Sequence, residues 1–441
     1  MKRKVFSYLL IAAMVSSLFA GCGSKADTPD TSAASEETQV EEVKEEETAT
    51  EDSVEDVTIR VSLWDYSSTQ YYKDQIAAFE KAYPHIKVDV AEAPAGDYED
   101  MIITKMAGRE NYDVVFTKGL PSLSALISMN YVQPLDDYIA NDADFDKSAY
   151  SNLTDQMQMN GKTYGVPYRK DNILLYYNKD LFDAAGVDYP QDGMTMDDYY
   201  ELAKKMTSGS GNEKIYGAHL HTWASCVFLF PRRVGQFDPW GTDKSALKPY
   251  YETFLKMQDE GLIMDYGTLK ASNTHYSGVF YNKQVAMMEM GTWFINMLVE
   301  NADFNWGVCS VPNVDGVGNT CAVGGVTPVM IGAYAEHPDE AWEFIKFVTG
   351  EEGAKILASN GILPGYSCDA VDEIFDALPG APENLSDYLS ADTFYVDTPL
   401  NPNGKEADSI ISEEHDLIMT KSISVDDGLK EMEERVNAVI E

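Results

Sequence analysis

The stretch VTIRVSLWDYSSTQYYKDQIAAFEKAYPHIKVDV, residues 57–90, decides the fold class of this chain. Apolar residues alternate with polar ones from Val57 to Leu63, and this period of two predicts a β-strand. A helical stripe follows and stops at Pro84, after which the alternation returns up to Val90. The resulting β-α-β order predicts an α/β protein.

The next two elements continue this order and locate a candidate crevice. Residues 97–107 fit a second helix, and DVVFT, residues 113–117, is typical of a fully buried parallel strand. In open α/β sheets, ligands bind outside the carboxyl ends of the strands. We therefore expect one crevice to be faced by four residues at strand ends: Trp64, Asp65, Thr117 and Lys118.

A second α/β segment begins within VPYRKDNILLYYNKD, residues 166–180. Its apolar run predicts a buried strand, a helix follows up to Gly186, and Thr195 with Asp198 forms a capping box that starts another helix. A chain of 441 residues with 44% hydrophobic composition favours two lobes over one. Three adjacent charges precede the strand and need water, a partner or a ligand: Arg169, Lys170 and Asp171.

The N-terminus has the pattern of an exported lipoprotein. A cationic segment precedes an apolar run from Val5 to Ala20, which is shorter than the ~20 residues of a membrane span. The run ends in LFAGC, which resembles the bacterial lipobox; an ordinary secretory signal with a chance cysteine is the alternative. We predict that residues 1–21 are a lipoprotein signal peptide. The lipid on Cys22, including palmitate, would anchor the protein on the extracytoplasmic face of the cell membrane.

Residues 22–56 are predicted to be an acidic, disordered tether. They contain no aromatic residue and thirteen Asp and Glu residues against Lys25 and Lys44, so they cannot bury enough apolar surface to fold. The folded body therefore begins near Val57. The chain has a formal net charge of −40, and the body alone stays strongly acidic. An acidic body repels phosphate backbones, which argues against nucleic acid and favours a neutral or cationic ligand.

Neither the cysteines nor the histidines predict a metal or redox site. The cysteines of the body lack CxxC spacing: Cys226, Cys309, Cys321 and Cys368. Cys309 and Cys321 flank the turn-forming segment PNVDGVGN, and a disulfide and a pair of buried thiols both remain open. His219 and His221 have a spacing that a metal can use, but no third ligand lies near them in the sequence. We expect no metal and no cofactor.

Seven segments of the body resemble one protein family. They occur in the order FEKAYPHIKVDV, DVVFTKG, YVQPLDDYI, NGKTYGVPY, LLYYNKDLFDAAGVDYP, YNKQVAMMEMGTW and DEAWEFIKFVTGEEGAKIL. Over roughly residues 57–440 the chain resembles the family 1 extracellular solute-binding proteins of ABC importers. The nearest branch binds sugars and includes the maltodextrin-binding protein. The resemblance implies a periplasmic-binding-protein fold, in which two α/β lobes joined by hinge crossings close on a ligand in the cleft between them.

The resemblance also implies where the chain changes lobe. The first crossing falls on residues 168–172, which places the three charges at the floor of the cleft. The remaining assignments are lobe one at residues 57–168 and 310–335, and lobe two at residues 171–308 and 338–441.

The implied function is sugar capture without catalysis. A monomeric lipoprotein would bind an oligosaccharide and deliver it to the permease of an ABC transporter. A non-sugar solute such as ferric iron, a polyamine or a peptide is the alternative within the same fold. A glycoside hydrolase would need two carboxylates ~5–9.5 Å apart, and 73 acidic residues cannot decide that question.

Sugars offer hydroxyls to polar groups and flat C–H faces to aromatic rings, so a sugar site combines carboxylates and amides with Trp and Tyr. From the strand ends and the resemblance, we expect ligand contacts from Trp64, Asp65, Thr117, Lys118, Asp171, His221, Trp223, Trp293 and Gly325.

The resemblance implies that Asp171 contacts sugar hydroxyls, and a salt bridge to Arg169 or Lys170 is the alternative. Gly324 and Gly325 are expected to allow a close backbone approach. The segment NPNGKEADSIISEEHD lacks the aromatic ligand contact of the maltodextrin-binding relative, which argues against maltodextrin itself.

Overall fold

The computed structural model describes residues 55–312, 321–389, 391 and 393–440. The predicted signal peptide, Cys22 and the tether up to residue 54 lie outside the described residues. The strands are β1 (Val57–Trp64), β2 (Ile86–Ala93), β3 (Val114–Phe116), β4 (Gln158–Met159), β5 (Lys162–Thr163), β6 (Val166–Lys170), β7 (Ile173–Asn178), β8 (Tyr216–His219), β9 (Val285–Gly291), β10 (Trp306–Ser310), β11 (Cys321–Gly324), β12 (Val326–Ile331) and β13 (Thr393–Val396).

The α-helices lie between and after these strands along the chain. They are α1 (Gln70–Ala82), α2 (Tyr98–Ala107), α3 (Leu120–Ser128), α4 (Asp136–Asn141), α5 (Lys179–Ala185), α6 (Met196–Met206), α7 (Ser225–Arg233), α8 (Lys248–Asp259), α9 (Tyr266–Ser272), α10 (Tyr276–Tyr281), α11 (Trp293–Asn301), α12 (Pro338–Thr349), α13 (Glu351–Ser359), α14 (Asp369–Asp376), α15 (Gly404–Met419) and α16 (Val425–Ile440). No described helix is both long and apolar enough to cross a membrane.

The first sheet has the strand order β2-β1-β3-β12-β6. β1 pairs in parallel with β2 and β3, as the β-α-β pattern predicts, whereas β12 runs antiparallel to β3 and β6. Helix α1 packs its apolar stripe on this sheet, and Phe79 is completely buried, which contributes about 1.5–3 kcal/mol relative to exposure. Gln75 of the same helix accepts a hydrogen bond of 2.6 Å from the Tyr168 hydroxyl, so α1 also fixes β6.

The second sheet has the order β10-β7-β9-β8 and is covered on both faces. Along β7, Leu175 and Tyr177 enter one apolar core, while Leu174 and Tyr176 enter the core on the opposite face, as the period of two requires. The predicted capping box is confirmed at the start of α6, where Thr195 and Asp198 exchange side-chain to backbone hydrogen bonds.

The two sheets are joined where β6 continues into β7, and beside this crossing β11, which pairs with β13 in a separate two-stranded sheet, leads into β12 of the first sheet. Asp171 N–H donates to Gly325 C=O at 2.9 Å, and Asp397 N–H donates to Gly324 C=O at 2.9 Å. A third chain segment lies alongside, since Lys170 N–H donates to Leu363 C=O at 3.2 Å. These backbone bonds hold the crossing strands together as one layer between the sheets.

One expected lobe boundary does not match this packing. Residues from 338 onward were assigned to lobe two, but α12 packs in the core of the first sheet, where the Phe344 and Phe79 rings have centroids 5.0 Å apart. Asp113, ahead of β3, accepts hydrogen bonds from the backbone N–H groups of Glu336 and His337. The connection from β12 to α12 is short, and its backbone is bonded to Asp113 next to β3. Helix α12 therefore packs on the sheet to which β12 belongs. The later helices α15 and α16 pack on the second sheet's side.

The described cysteines are all free thiols. Cys309 lies on β10 of the second sheet and Cys321 on β11, which pairs with β13. The disulfide alternative is therefore not the state of this structure.

The packing at the crossing predicts that alanine substitutions at the neighbouring residues Gly324 and Gly325 have very different effects on stability. A Cβ on Gly324 would lie 1.5 Å from the Asp171 carbonyl oxygen, whereas a Cβ on Gly325 would lie 3.8 Å from its nearest neighbour, Asp397 Oδ2. We expect Gly324→Ala to lower the free energy of unfolding by more than about 2 kcal/mol, because backbone atoms cannot yield cheaply. Gly325→Ala is the matched control and should stay within about 1 kcal/mol of the wild type in urea denaturation. Equal stability of the two variants would contradict the close approach.

Candidate functional site

A pocket of about 210 Å³ lies at the crossing between the sheets. Of the nine residues expected to contact ligand, five line it: Lys118, Asp171, Trp223, Trp293 and Gly325. They come from the end of β3, the β6–β7 crossing, the loop before α7, the start of α11 and the β11–β12 crossing. Segments distant in sequence thus meet at one place, which we call the candidate pocket. That these residues contact a ligand stays a prediction.

Asp171 is the acid at the centre of the crossing. Its backbone is fixed by the bond to Gly325, and only 7% of the residue is exposed. Burial raises the pKa of Asp171 to about 6; Arg169 lowers this pKa and Asp397 raises it further. The carboxyl group is therefore held in a poorly solvated position where an additional hydrogen-bond donor would be favourable.

The two cations beside Asp171 have other partners. Arg169 Nε donates to Thr327 Oγ1 at 3.1 Å, Nη1 donates to Tyr71 at 3.2 Å, and the guanidinium lies 5.6 Å from the Trp64 ring centroid. Lys170 Nζ is 3.5 Å from Ser367 Oγ. The charge of Arg169 still acts on Asp171, but the structure places neither cation in an ion pair with it among the described residues. The salt-bridge alternative is therefore not the arrangement observed.

An aromatic wall on the second sheet's side borders the candidate pocket; it consists of His221, Trp223, Tyr276 and Trp293. The Trp223 and Trp293 ring centroids are 6.1 Å apart, and His221 lies 4.4 Å from Trp223. Trp293 Nε1 donates to the Tyr276 hydroxyl at 3.0 Å. His221 is 7% exposed and supports the wall from behind, whereas Trp223 is 41% exposed and presents a free ring surface.

A glycine fixes the position of the Trp293 ring. A Cβ on Gly291 would lie 1.8 Å from that ring, so the indole can fold back over the end of β9 only because residue 291 has no side chain. Thr292 holds the adjoining backbone, because its N–H donates to Asn172 C=O at 2.9 Å and its hydroxyl accepts from Asn172 N–H at 3.2 Å. The wall is thereby tied directly to the crossing.

The remaining expected residues lie at the strand ends of the first sheet. Trp64 is 7% exposed, and Lys118 Nζ lies 6.0 Å from its ring centroid and donates to Ala95 C=O. Asp65 has a left-handed backbone, with φ of 49°, and its Oδ1 accepts from Ala95 N–H at 2.9 Å. Burial lowers the pKa of Lys118, while Glu99 and Asp65 act in the opposite direction. Of these strand-end residues, only Lys118 is among those that line the candidate pocket, and Trp64 lies next to Lys118. That Trp64 and Asp65 contact a ligand stays a prediction.

Thr117 is a correction to the expected contact set. The residue is completely buried, and its hydroxyl donates to Gly119 C=O at 3.1 Å. A side chain without exposed surface cannot touch a ligand in this conformation, so Thr117 shapes the strand end instead.

Three residues of the site were missed from the sequence. Glu289 and Asp397 line the candidate pocket, and Tyr276 completes its aromatic wall. Glu289 lies inside the apolar run VAMMEMG, where a single acid in a buried strand was the signal to notice. Burial raises the pKa of Asp397, and the Thr398 N–H and hydroxyl that donate to its Oδ1 lower it. No sequence pattern placed Asp397 or Tyr276 near Asp171.

The histidines do not form a metal centre in the described part of the chain. No group of three or more His, Cys, Asp or Glu side chains there could hold a metal ion. Burial lowers the pKa of His219 to about 3 and that of His221 to about 4, so both rings are neutral.

Known proteins are similar to this chain in sequence. Residues 65–355 match the family model described as bacterial extracellular solute-binding protein. The galactooligosaccharide-binding protein of Bacillus subtilis (strain 168) is 24% identical over 305 residues, which cover 66% of this chain and 69% of that protein. The melibiose/raffinose/stachyose-binding protein MelE of the same organism is 26% identical over 349 residues, which cover 73% and 76%.

Solved structures show the same fold. A sugar transporter from Rhizobium etli in an open conformation is 36% identical, with a TM-score of 0.76, and the match covers 87% of this chain and 99% of that one. An ABC substrate-binding protein from Listeria monocytogenes in complex with cycloalternan is 21% identical, with a TM-score of 0.75 and the same coverage. These matches confirm the predicted two-lobed α/β fold. Because the family model spans well over half of its length, this chain belongs to the bacterial extracellular solute-binding protein family.

Proposed function

We propose that this protein captures a sugar, in particular an oligosaccharide, outside the cytoplasm and delivers it to the permease of an ABC transporter. The observation that carries the proposal is the position of Asp171. Its poorly solvated carboxyl group lies at the crossing, beside the exposed ring of Trp223 and the indole of Trp293. A carboxylate accepts hydrogen bonds from sugar hydroxyls, and indole rings stack on the C–H faces of the sugar.

The candidate pocket is suited to one end of a longer ligand. Its volume of about 210 Å³ is smaller than the roughly 300–1,000 Å³ typical of small-molecule sites. Trp223 is exposed at its edge and can stack a further sugar ring outside it. The relatives named for oligosaccharide binding, together with the 36% identical sugar transporter, support a saccharide over an ion or a peptide.

Binding is proposed to work by closure of the lobes. Lys118 belongs to the first sheet's side, Trp293 to the second, and Asp171 to the backbone between them. A ligand that touches all three would favour the arrangement that brings the sheets closest, which the permease then recognises. No covalent step is required of the protein.

The protein is further proposed to act as a monomer anchored by a lipid on Cys22. One acyl chain gives only marginal membrane binding, so two or three chains on this cysteine are expected. The acidic tether up to residue 56 would then let the body reach roughly 30 Å from the membrane surface.

A ligand panel tests this function. The body is titrated by calorimetry with gluco-, galacto- and manno-oligosaccharides, and separately with ferric citrate, spermidine and a mixed tripeptide library. We expect micromolar or tighter binding of at least one oligosaccharide series, with the oligosaccharide recovered intact afterwards. Stabilisation by a non-sugar solute alone would overturn the proposal, and turnover of a labelled oligosaccharide would show that the protein is an enzyme.

Asp171→Asn is expected to weaken sugar binding by more than tenfold, or about 1.4 kcal/mol. The amide keeps the shape of the side chain but loses the charged acceptor, whose hydrogen bonds are the stronger ones. Calorimetry with the best oligosaccharide of the panel measures the loss. Asp89→Asn, on the exposed part of β2, is the matched control and should bind normally. An unchanged affinity of the Asp171 variant would remove the central contact of the proposal.

The same variant makes a prediction about stability and pH. Because burial raises the pKa of Asp171 to about 6, the folded state binds this proton more tightly than the unfolded state. The contribution of Asp171 to stability is therefore fully present below its unfolded pKa and is lost as the pH rises through about 6. We expect Asp171→Asn to match the wild type in urea denaturation near pH 4 and to be the more stable protein at pH 8. A variant less stable than the wild type at pH 8 would indicate that the carboxylate has a favourable partner within the chain.

Trp223→Ala is expected to reduce oligosaccharide affinity about threefold to tenfold, because an aromatic platform contributes about 0.5–1.5 kcal/mol. The melting temperature should fall only by a few degrees, because the residue is 41% exposed although its ring contacts His221, Tyr276 and Trp293. Tyr334→Ala removes an aromatic side chain of similar exposure, 37%, away from the candidate pocket and serves as the control. Equal affinity of the two variants would exclude Trp223 as a platform.

A further inference from the structure

Glu289 is a buried carboxylate in the wall of the candidate pocket. It lies on β9 opposite Leu175 of β7, and 3% of the residue is exposed. By distance and angle, neither carboxylate oxygen forms a hydrogen bond with a described residue; the Tyr199 hydroxyl, which is close enough to lower the pKa of Glu289, is also unpaired by the same measure. Burying a carboxyl group without a partner is costly, so a group from outside the chain is expected to complete this position.

The charges around the candidate pocket are unbalanced. Asp171, Glu289 and Asp397 line it together with one cation, Lys118, which already donates to Ala95 C=O. Arg169 and Arg232 act on Asp171 and Asp397 and lower their pKa values, but burial has the larger effect and raises both. Burial likewise raises the pKa of Glu289 to about 7, and the Tyr199 hydroxyl only partly offsets it. Three carboxyl groups therefore line one space in which burial opposes their ionisation, and a cation bound there would favour their charged forms.

We propose that the candidate pocket binds a sugar carrying a protonated amino group and that Glu289 is the specificity-determining residue that receives this ammonium. The inference rests on the proposed function, because Asp171 and the aromatic wall would hold the rest of the sugar. It identifies the substrate class more narrowly, as amino sugars.

An ammonium group fits this position better than a hydroxyl or a metal ion. It supplies three N–H donors and a positive charge, so it satisfies the Glu289 oxygens and compensates the acid excess at once. A hydroxyl would supply a hydrogen bond but leave the charge unbalanced. The indoles of Trp223 and Trp293 also attract a cation through their ring faces. In the described part of the chain, no set of side chains could coordinate a metal ion at this place.

The wild-type protein provides the first test. Glucose, galactose and mannose, and their homodisaccharides, are each titrated at pH 7 in three forms: the parent sugar, the 2-amino sugar and the 2-acetamido sugar. The acetamido form keeps the nitrogen but has no charge. In at least one series we expect the amino form to bind at least tenfold tighter than both of the others. If every amino form binds no tighter than its parent sugar, the inference is overturned.

Glu289→Gln provides the second test, because it keeps the size of the side chain and removes the charge. The ratio of amino-sugar to parent-sugar affinity should fall at least tenfold, because only the amino sugar loses a contact between opposite charges. Glu300→Gln, an exposed acid on α11, is the matched control and should leave the ratio unchanged. A thermal melt checks that each variant is folded, and if Glu289→Gln does not fold, the wild-type comparison alone decides.

The outcomes separate this inference from the proposed function. Tight binding of neutral sugars without an amino preference overturns the inference and leaves sugar capture intact. An amino preference that survives Glu289→Gln overturns the role of Glu289. Binding of spermidine with no binding of any sugar overturns both proposals, since the acid excess would then serve a polyamine.

Discussion

The close contact between two crossing strands is the constraint on which the rest of the structure depends. Gly324 approaches the Asp171 carbonyl so closely that any side chain would collide with it, and Asp171 N–H donates to Gly325 at 2.9 Å. A single backbone hydrogen bond contributes only about 1 kcal/mol, so the steric requirement is the stronger determinant. It keeps β6–β7 and β11–β12 in one layer and turns the Asp171 carboxyl group into the space between the sheets.

The sequence predicted correctly those features that depend on interactions between residues close together in the chain. Alternation along β1 and β7 and the capping box at Thr195 each involve neighbours within a few residues, and the structure confirms them. The sequence also predicted that Trp64 and Lys118 lie close together, because the carboxyl ends of neighbouring parallel strands meet at the same edge of a sheet. What failed required knowledge of partners distant in the chain. The chain order implied by the resemblance assigned helix α12 to lobe two, and its apolar stripe could not correct this, because a stripe does not show which sheet it covers.

The missed acids have a related explanation. The sequence VAMMEMG predicts a strand buried in an apolar core. The single carboxylate in it can be recognised as part of a site only when the surface next to it is known to be a pocket. Asp397 follows a short strand that pairs with β11 alone, and its N–H reaches Gly324 at 2.9 Å. The acid excess of the whole chain is visible in its composition, but the concentration of three acids around one space depends on tertiary structure.

Burial of the acids at the candidate pocket opposes the stability of the protein and would favour the binding of a hydrogen-bond donor there. Burial raises the pKa of Asp171 to about 6 and that of Glu289 to about 7, so near neutral pH these acids ionise at a cost that folding alone does not recover. A ligand that donates hydrogen bonds to these acids would recover part of this cost. The gain would arise at the crossing, because Asp171 is one of the crossing residues. Thr292 bonds to Asn172 on the same crossing and carries Trp293 with it. In the proposed function, ligand contact with Asp171 and Trp293 would therefore act on the few residues that connect the two sheets. This is why a small pocket can control the proposed closure of a two-lobed protein.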